Sequence, residues 1–466
     1  MSLETPEKIR SLQRKLYCKA KAEPAFRFYV LYDKICRQDI LLHAYDRARD
    51  NAGAPGVDGV TFEQIEAAGV EAWLAGLRED LVSKAYRPQA VRRTMIPKPG
   101  GGQRPLGIPT IRDRVVQTAA KLVLEPIFEA DFEDNAYGYR PKRSAGDAIG
   151  RVHLALRQGQ TDVVDADLSK YFDTIPHAAL MRSVARRIVD RHVLHLIKMW
   201  LQVPVEERDE DGTRRMSGGK GSTRGTPQGG VVSPLLANIY MSRFLKHWRL
   251  TGRGKAFRAQ VVSYADDFVI LSRGFAAEAL AWTKAAMTKL GLSINEAKTS
   301  VKDARTERFD FLGYTFGPHR STRDGSLYPG ASPSKKSVHR LKAKVGDLLT
   351  SGKRNVELRP AFAGLSSRRS LRLRSGATLP RQTAQDTKPQ SATLLPSQSL
   401  RGTRRAPAQT PASSAVAVGF TMNPVGKPDA GNRHVRFDER GRETERLATP
   451  QATAPFLDST AFVGHS

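Results

Sequence analysis

Apolar residues recur at helical spacing through Ile65, Val70, Leu74, Leu77 and Leu81, which predicts one helix that Tyr86-Arg87-Pro88 closes. The first 50 residues read as basic and mostly helical, and NAGAPGVDGVTFE (51–63) as a Gly/Pro/Asp loop that restarts the chain. RRTMIPKPGGGQRPLGIPT (92–110) predicts a short strand, a glycine turn and a second strand. Residues 111–158 are again mostly helical, interrupted by NAYGYRPKRSAGD. TDVVDADL predicts a strand, followed by a helix through His195 to Leu201 and a hairpin with a basic loop over VEERDEDGTRRMSGGKGSTRGTPQGG. Ser233-Pro234 reads as a helix start, with Ser as N-cap and Pro at the first helical position. The two apolar runs of QVVSYADDFVILSR (260–273) predict a hairpin, and AAEALAWTKAAMTKLGL (276–292) a helix ended by Gly291. FDFLGYTFG (309–317) predicts one more strand, and SPSKKSVHRLKAKVGDLL (332–349) a basic amphipathic helix.

Periodicity stops after about residue 355. Residues 365–466 are rich in Ser, Thr, Arg, Pro and Gln and predict disorder, because too little apolar surface is available to offset the entropy of ordering. HVRFDER (434–440) is the one patch there with a tendency to order.

Charge changes the picture. The 466 residues carry 75 Lys+Arg against 47 Asp+Glu, a formal net charge of +28. Such an excess repels itself in a compact fold and calls for a polyanionic partner, nucleic acid first. No stretch approaches the roughly 18 consecutive apolar residues of a membrane span, and no apolar h-region follows Met1, so no membrane partner is expected. Cys18 and Cys36 alone supply neither a disulfide framework nor a four-cysteine zinc site, which fits a reducing, cytoplasmic setting.

Two acidic sites interrupt the apolar strands. Asp266 and Asp267 fall at the predicted hairpin tip, where Asp-Asp is also ordinary turn chemistry. In DVVDADLSKYFDTIPH (162–177), Asp165 and Asp167 lie two apart on one strand face, and Asp173 follows where a helix begins and where it reads equally as a cap. Carboxylates gathered at strand ends repel one another unless cations join them. Two Mg²⁺ ions, hard cations that take oxygen ligands, would do so. At a separation of about 3.5–4 Å, such a pair activates a 3′-hydroxyl and stabilises the leaving pyrophosphate in phosphoryl transfer.

The order IPKPGGGQRPLGIPTIRDRVVQ, GYRPKRSAGDA, strand-Asp, TPQGG…SPLLANIYM, YADD, GLSINEAKTS and FDFLGYTF resembles the reverse transcriptases encoded by bacterial group II introns, in the retron-type reverse transcriptase family. The resemblance covers about residues 36–317. It implies an α/β (α+β) right-hand polymerase, with fingers and a palm whose antiparallel sheet packs on helices, a partial helical thumb and a disordered C-terminal tail. The corresponding expectations are a basic helical extension over 1–60, fingers over 61–160 and a palm over 161–330. The reverse transcriptase domain would span about 78–317, an incomplete thumb or maturase start 331–355, and the tail 356–466.

Carried onto this chain, the resemblance makes Asp167 and Asp266 ligands of two Mg²⁺ ions, with Asp267 completing the catalytic acidic turn and the Leu168 carbonyl as a further ligand. Phe172 matches the bulky residue that blocks a ribose 2′-hydroxyl and selects dNTPs; read alone it is a core aromatic. Lys98 and Arg104 flank the glycine turn as triphosphate contacts, where a point charge and a guanidinium fork neutralise phosphate oxygens. Gln228, Gly229 and Gly230 match the loop beside the incoming nucleotide, and Lys298 a lysine near the pyrophosphate. Tyr139, Arg140, Pro141, Lys142 and Arg143 form a basic loop for the template. Leu312, Gly313 and Tyr314 match the primer-holding strand, and Lys335, Lys336, His339, Arg340, Lys342 and Lys344 present a thumb helix to the duplex backbone. Partners implied are group II intron RNA, an RNA template with a DNA primer, and dNTPs.

Beyond the first thumb helix the resemblance stops, and the cysteines of an HNH nuclease are absent. We expect that 356–466 is not the ancestral reading frame, which translation of the other two frames would test. Two functions fit: an RNA-directed DNA polymerase serving intron splicing and mobility, or a non-catalytic intron-binding maturase that assists splicing. A relative recruited to retron-type or phage-defence work is a third reading, which the RPKRS and PKPGGGQRP blocks argue against.

Overall fold

The amino-terminal helices bury their apolar stripes as expected. α1 (Glu7–Ala22) sinks Ile9, Leu16 and Ala20, and α2 (Tyr32–Ile35) and α3 (Gln38–Asp50) continue the layer. The helix predicted over 65–81 is two helices, α4 (Phe62–Ala68) and α5 (Val70–Val82). Gly69 between them has φ +94°, outside any helical region, so the hydrogen-bond ladder ends there. The computed structural model describes residues 4–97, 102–208, 211, 213–321 and 323–350, with 436–437 and 443–444. It divides into two units, residues 1–368 and 369–466.

In the first unit, β1 (Val91–Pro97) and β2 (Gln103–Ile108) form the expected antiparallel hairpin; its glycine turn lies outside the described residues. Thr110 caps α6 (Ile111–Glu129), which runs buried through the core, and a Ser144/Asp147 capping box starts α7 (Ala145–Arg157). β3 (Asp162–Asp167) follows. The helix expected after it is three: α8 (Tyr171–Thr174), α9 (His177–Ala185) and α10 (Arg191–Leu201), the last restarted by the Asp190 cap. β4 (Pro204–Arg208) and β5 (Arg214–Gly218) form the predicted hairpin, and β4 also pairs in parallel with β1 at Val91↔Val205. A sheet of order β2-β1-β4-β5 results.

α11 (Ser233–Leu250) begins at Ser233, with Val232 rather than Ser233 at the cap. The Ser233 hydroxyl instead donates to the Pro227 carbonyl at 2.8 Å, tying the helix to the preceding loop. After α12 (Arg253–Ala256) come β6 (Gln260–Tyr264), β7 (Asp267–Ser272), α13 (Ala276–Lys289) and β8 (Ser300–Asp303). The second sheet, β6-β7-β3-β8, is antiparallel throughout, as expected of the palm. FDFLGYTFG is not one strand. It is a hairpin of β9 (Phe309–Phe311) and β10 (Tyr314–Arg320), reversed by Leu312 at φ +49° and Gly313 at φ +81°. β11 (Leu327–Pro333) pairs with β10, and Ser334 caps α14 (Lys335–Thr350) through the Ser337 amide at 3.2 Å.

Two apolar clusters sandwich the palm sheet. Val164, Ala166, Phe268 and Ile270 join the large cluster with α6, α11 and α13. Val163, Val262, Val269 and Leu271 join a smaller one with α7 and Phe309, Phe311 and Phe316. Expected fingers and palm therefore share a core, which runs from Ile9 to Leu292. In the second unit the described residues are β12 (Arg436–Phe437) paired with β13 (Glu443–Thr444), the first within the patch expected to order. The rest of the tail expected to be disordered, and the frameshift reading attached to it, lie outside the described residues. Among the described residues no helix is long and apolar enough to cross a membrane.

Candidate active site

β3 alternates. Val164 and Ala166 face the large core, so Val163, Asp165 and Asp167 share the other face and run from the small core toward its open end. β7 matches this register: Asp167 lies directly opposite Asp267, followed by Ala166↔Phe268 and Asp165↔Val269. Directly opposed residues on antiparallel strands project to the same face, and like charges there are destabilising. Asp266 sits in the two-residue turn with Ala265, whose φ is +59°, between the paired residues Tyr264 and Asp267. The turn is clamped from outside. Asn135 and Tyr137 exchange backbone hydrogen bonds with Ser263, and a Cβ on Gly138 would meet the Ala265 nitrogen at 2.3 Å.

The electrostatics follow from that crowding. Desolvation first, then Asp266, Asp167 and Asp165, push the Asp267 carboxyl up to about 6, against the opposing pull of Lys298. Burial also raises Asp165, whose partner Lys302 lies at 3.5 Å and opposes the shift. A raised carboxyl in the folded state penalises the ionised form. Its penalty is absent below the ordinary value of 3.8, grows as pH climbs to about 6, and is complete above. Asp267→Asn should therefore gain stability relative to the native chain over about pH 4–6. The gain should be on the order of 1 kcal/mol, because Asp267 is open to solvent and screened. Urea titrations of both proteins in chelator at several pH values check this; a pH-independent difference would rule it out.

Asp167 is held by the loop before β8. Its carboxylate Oδ2 accepts from Asn295 Nδ2 at 3.1 Å and lies 3.4 Å from Lys298 Nζ. Its carbonyl accepts from the Asn295 amide at 2.8 Å, and its amide donates to Thr299 Oγ1 at 3.3 Å. Lys298 is expected here from the sequence, whereas Asn295 and Thr299 are not. The available signal was a polar turn, NEAKTS, between apolar Ile294 and a strand. Leu168 is buried and bridges to Ile294. Among the described residues, no three Asp, Glu, His or Cys side chains converge on one cation position.

Arg104, exposed on β2, donates from Nε to Gln228 Oε1 at 3.2 Å, and Gln228 Nε2 donates to Asp173 at 3.2 Å. Asp173 lies within α8 and is spent on Gln228 rather than on starting a helix. The loop of Gln228 is stitched to both sides, its carbonyl accepting from Gly107 at 2.6 Å and Thr226 donating to the Phe172 carbonyl at 2.7 Å. Gly229 has a reason of its own: at φ +106°, a Cβ would meet the Gly107 carbonyl oxygen at 2.0 Å. Lys98 lies outside the described residues. Phe172 is buried, with its ring edge-on to exposed Tyr139 at 6.3 Å and to buried Tyr171 at 5.8 Å.

Arg140, expected at the template, is 7 % exposed. Its guanidinium pairs with Glu129 at 2.7 Å and donates to the Glu133 and Ala136 carbonyls, so its donors are consumed inside the fold. Arg143 pairs with Asp134 at 3.1 Å and stacks over Tyr137, while Lys142 is exposed at φ +60°. Arg140→Ala should strand the Glu129 charge and cost about 3–5 kcal/mol of stability. Denaturant unfolding reads that loss, and RNA affinity at a temperature where both proteins are folded should be unchanged. Weakened RNA binding with unchanged stability would restore the template reading.

Gly313 ties the β9–β10 turn to α14: its carbonyl accepts from Ser337 Oγ and the Ser334 amide, both at 2.9 Å, and a Cβ would meet Ser337 Oγ at 2.8 Å. Tyr314 is half-buried against the small core. Lys335, Lys336, His339, Arg340, Lys342 and Lys344 are all exposed on α14.

The family profile described as reverse transcriptase (RNA-dependent DNA polymerase) matches residues 96–316. Protein YkfC of Escherichia coli K12 is 36% identical over 357 residues, covering 69% of this chain and 90% of that protein. The group II intron-encoded protein LtrA of Lactococcus lactis is 34% identical over 215 residues, 46% of this chain and 34% of LtrA. A 91 kDa protein in the cob intron of Schizosaccharomyces pombe is 26% identical over 336 residues, 60% of this chain and 40% of that protein. The chain thus spans about a third of LtrA's length.

Proposed function

The chain belongs to the reverse transcriptase family, in its group II intron type, and from that premise we propose that it is an RNA-directed DNA polymerase adding dNTPs to a primer 3′-hydroxyl. The observation that carries this reading is the acid pair Asp167↔Asp267 opposed in one ladder, with Asp266 beside it in the turn. The pairing sets like charges together, and desolvation first, then Asp266 and Asp167, push the Asp267 carboxyl up to about 6. Hard oxygen donors crowded by like charge are what divalent cations require. Asp167, Asp266 and Asp267, with the Leu168 carbonyl, would hold two Mg²⁺ ions. When bound, they supply activation of the attacking hydroxyl and neutralisation of the leaving group.

The remaining work falls to the chain itself. Asn295 fixes the Asp167 carboxylate from one side. Arg104, braced by Gln228, offers a guanidinium to a triphosphate, with Lys98 assigned the same task. Phe172 is assigned to limit space at the sugar, and Lys298 to give a proton to pyrophosphate. Lys142, Arg143, Gly313 and Tyr314 are assigned to template and primer, and the cations of α14 to duplex phosphates. The domain limits proposed above, with fingers over 61–160 and palm over 161–330, follow from this reading.

Primer extension by the full chain on poly(rA)/oligo(dT) with Mg²⁺ tests the proposal. Incorporation of dTTP is the expected result. Binding of group II intron RNA and help with its splicing, without incorporation, would overturn it in favour of a non-catalytic maturase.

A further inference from the structure

Where the acid cluster most needs positive charge, the fold supplies a lysine. Lys298 Nζ stands 3.4 Å from Asp167 Oδ2 and also opposes the upward shift of Asp267. Its backbone amide closes a turn on the Asn295 carbonyl at 3.1 Å, so the side chain reaches the cluster from a fixed root. That side chain is 66% exposed, against 33% for Asp167. The ammonium is thus held at its tip by an ion pair open to water. Asn295 Nδ2 occupies the same carboxylate oxygen at 3.1 Å and is enough to orient it.

We propose that Lys298 is a resident counter-cation of the acid cluster, which a divalent cation displaces from Asp167. The inference rests on reading Asp167 as a cation ligand. An ion pair this exposed is worth little, so a divalent ion shared by Asp167 and a second carboxylate outcompetes it. The lysine is compact, strongly hydrated and on a flexible stem, and needs no rearrangement of backbone to leave. Released, it remains rooted beside the acid cluster as a free positive charge, so cation entry converts a neutralising lysine into one available to a nucleotide's phosphates. Cation binding and phosphate binding become coupled through one side chain.

Mn²⁺ binding to the full chain without nucleotide, followed by electron paramagnetic resonance, separates the outcomes. Lys298→Met removes the competitor and should bind Mn²⁺ about fivefold more tightly than the native chain, the scale of an exposed ion pair. Lys298→Arg keeps the charge and should bind like the native chain, which also shows that the loop tolerates substitution. Asp167→Asn should lose the site. If Lys298→Met binds Mn²⁺ equally or more weakly, the lysine does not compete and this inference fails while the polymerase reading stands. If the native chain shows no Mn²⁺ binding that Asp167→Asn removes, both fail together.

Discussion

Asp266→Ala should remain folded and lose primer extension by at least about 10³-fold, a barrier increase of about 4 kcal/mol. Metal-bound activation and charge neutralisation are each worth several kcal/mol, so removing a shared ligand forfeits most of that stabilisation. The turn itself does not depend on the substituted side chain. Ala265 takes the left-handed residue of the two-residue tip at φ +59°, and Tyr264 and Asp267 close the ladder on either side. Asp266 is also the largest like charge acting on Asp267, so its removal relieves the cluster rather than loosening it. Melting temperature should stay level or rise while incorporation on poly(rA)/oligo(dT) disappears. Native-like extension by the variant would end the case for a shared cation site, and a collapsed melting temperature would show that Asp266 is a turn residue first.

Much of this arrangement was legible because local pattern and tertiary demand agree. The strand ending in Asp167 and the hairpin carrying Asp266 and Asp267 are short apolar runs that end in acid residues, and each strand lies between two cores that want its two faces. Departures arose where a single residue or a distant partner decided. Gly69 splits a stripe that is continuous in sequence, because φ +94° is free to glycine and forbidden to the helix. Leu312 at φ +49° turns the chain where an aromatic run reads as one strand, and a non-glycine left-handed residue leaves no compositional trace. Arg140 reads as one more cation in a basic loop until Glu129 appears eleven positions earlier, across the end of α6. The parallel pairing of β1 with β4 joins Val91 to Val205, a contact that no local window contains.

Phe172 sits where two demands meet, and its substitution separates them. Only 7 % of it is exposed, and it belongs to the large core, so truncation costs packing. Tyr171 already anchors α8 from within, 2 % exposed and donating its hydroxyl to the Ala237 carbonyl at 2.7 Å. A second aromatic is therefore not required for the helix to dock. The edge of Phe172 meets Tyr139, the exposed ring whose hydroxyl is raised by burial first and then by Asp266. Phe172→Val keeps an apolar core residue and removes the ring's bulk beside Tyr139. The expected result is a fall of about 10²-fold in preference for dTTP over UTP, about 2.7 kcal/mol of discrimination, read as the ratio of their kcat/KM values. Gain of UTP use should account for most of the change, because the proposed role of the ring is to exclude the 2′-hydroxyl, which the deoxyribose lacks. A chain that melts earlier yet keeps its native ratio would make Phe172 a core aromatic alone, and selection of deoxynucleotides would then have to come from another wall of the site.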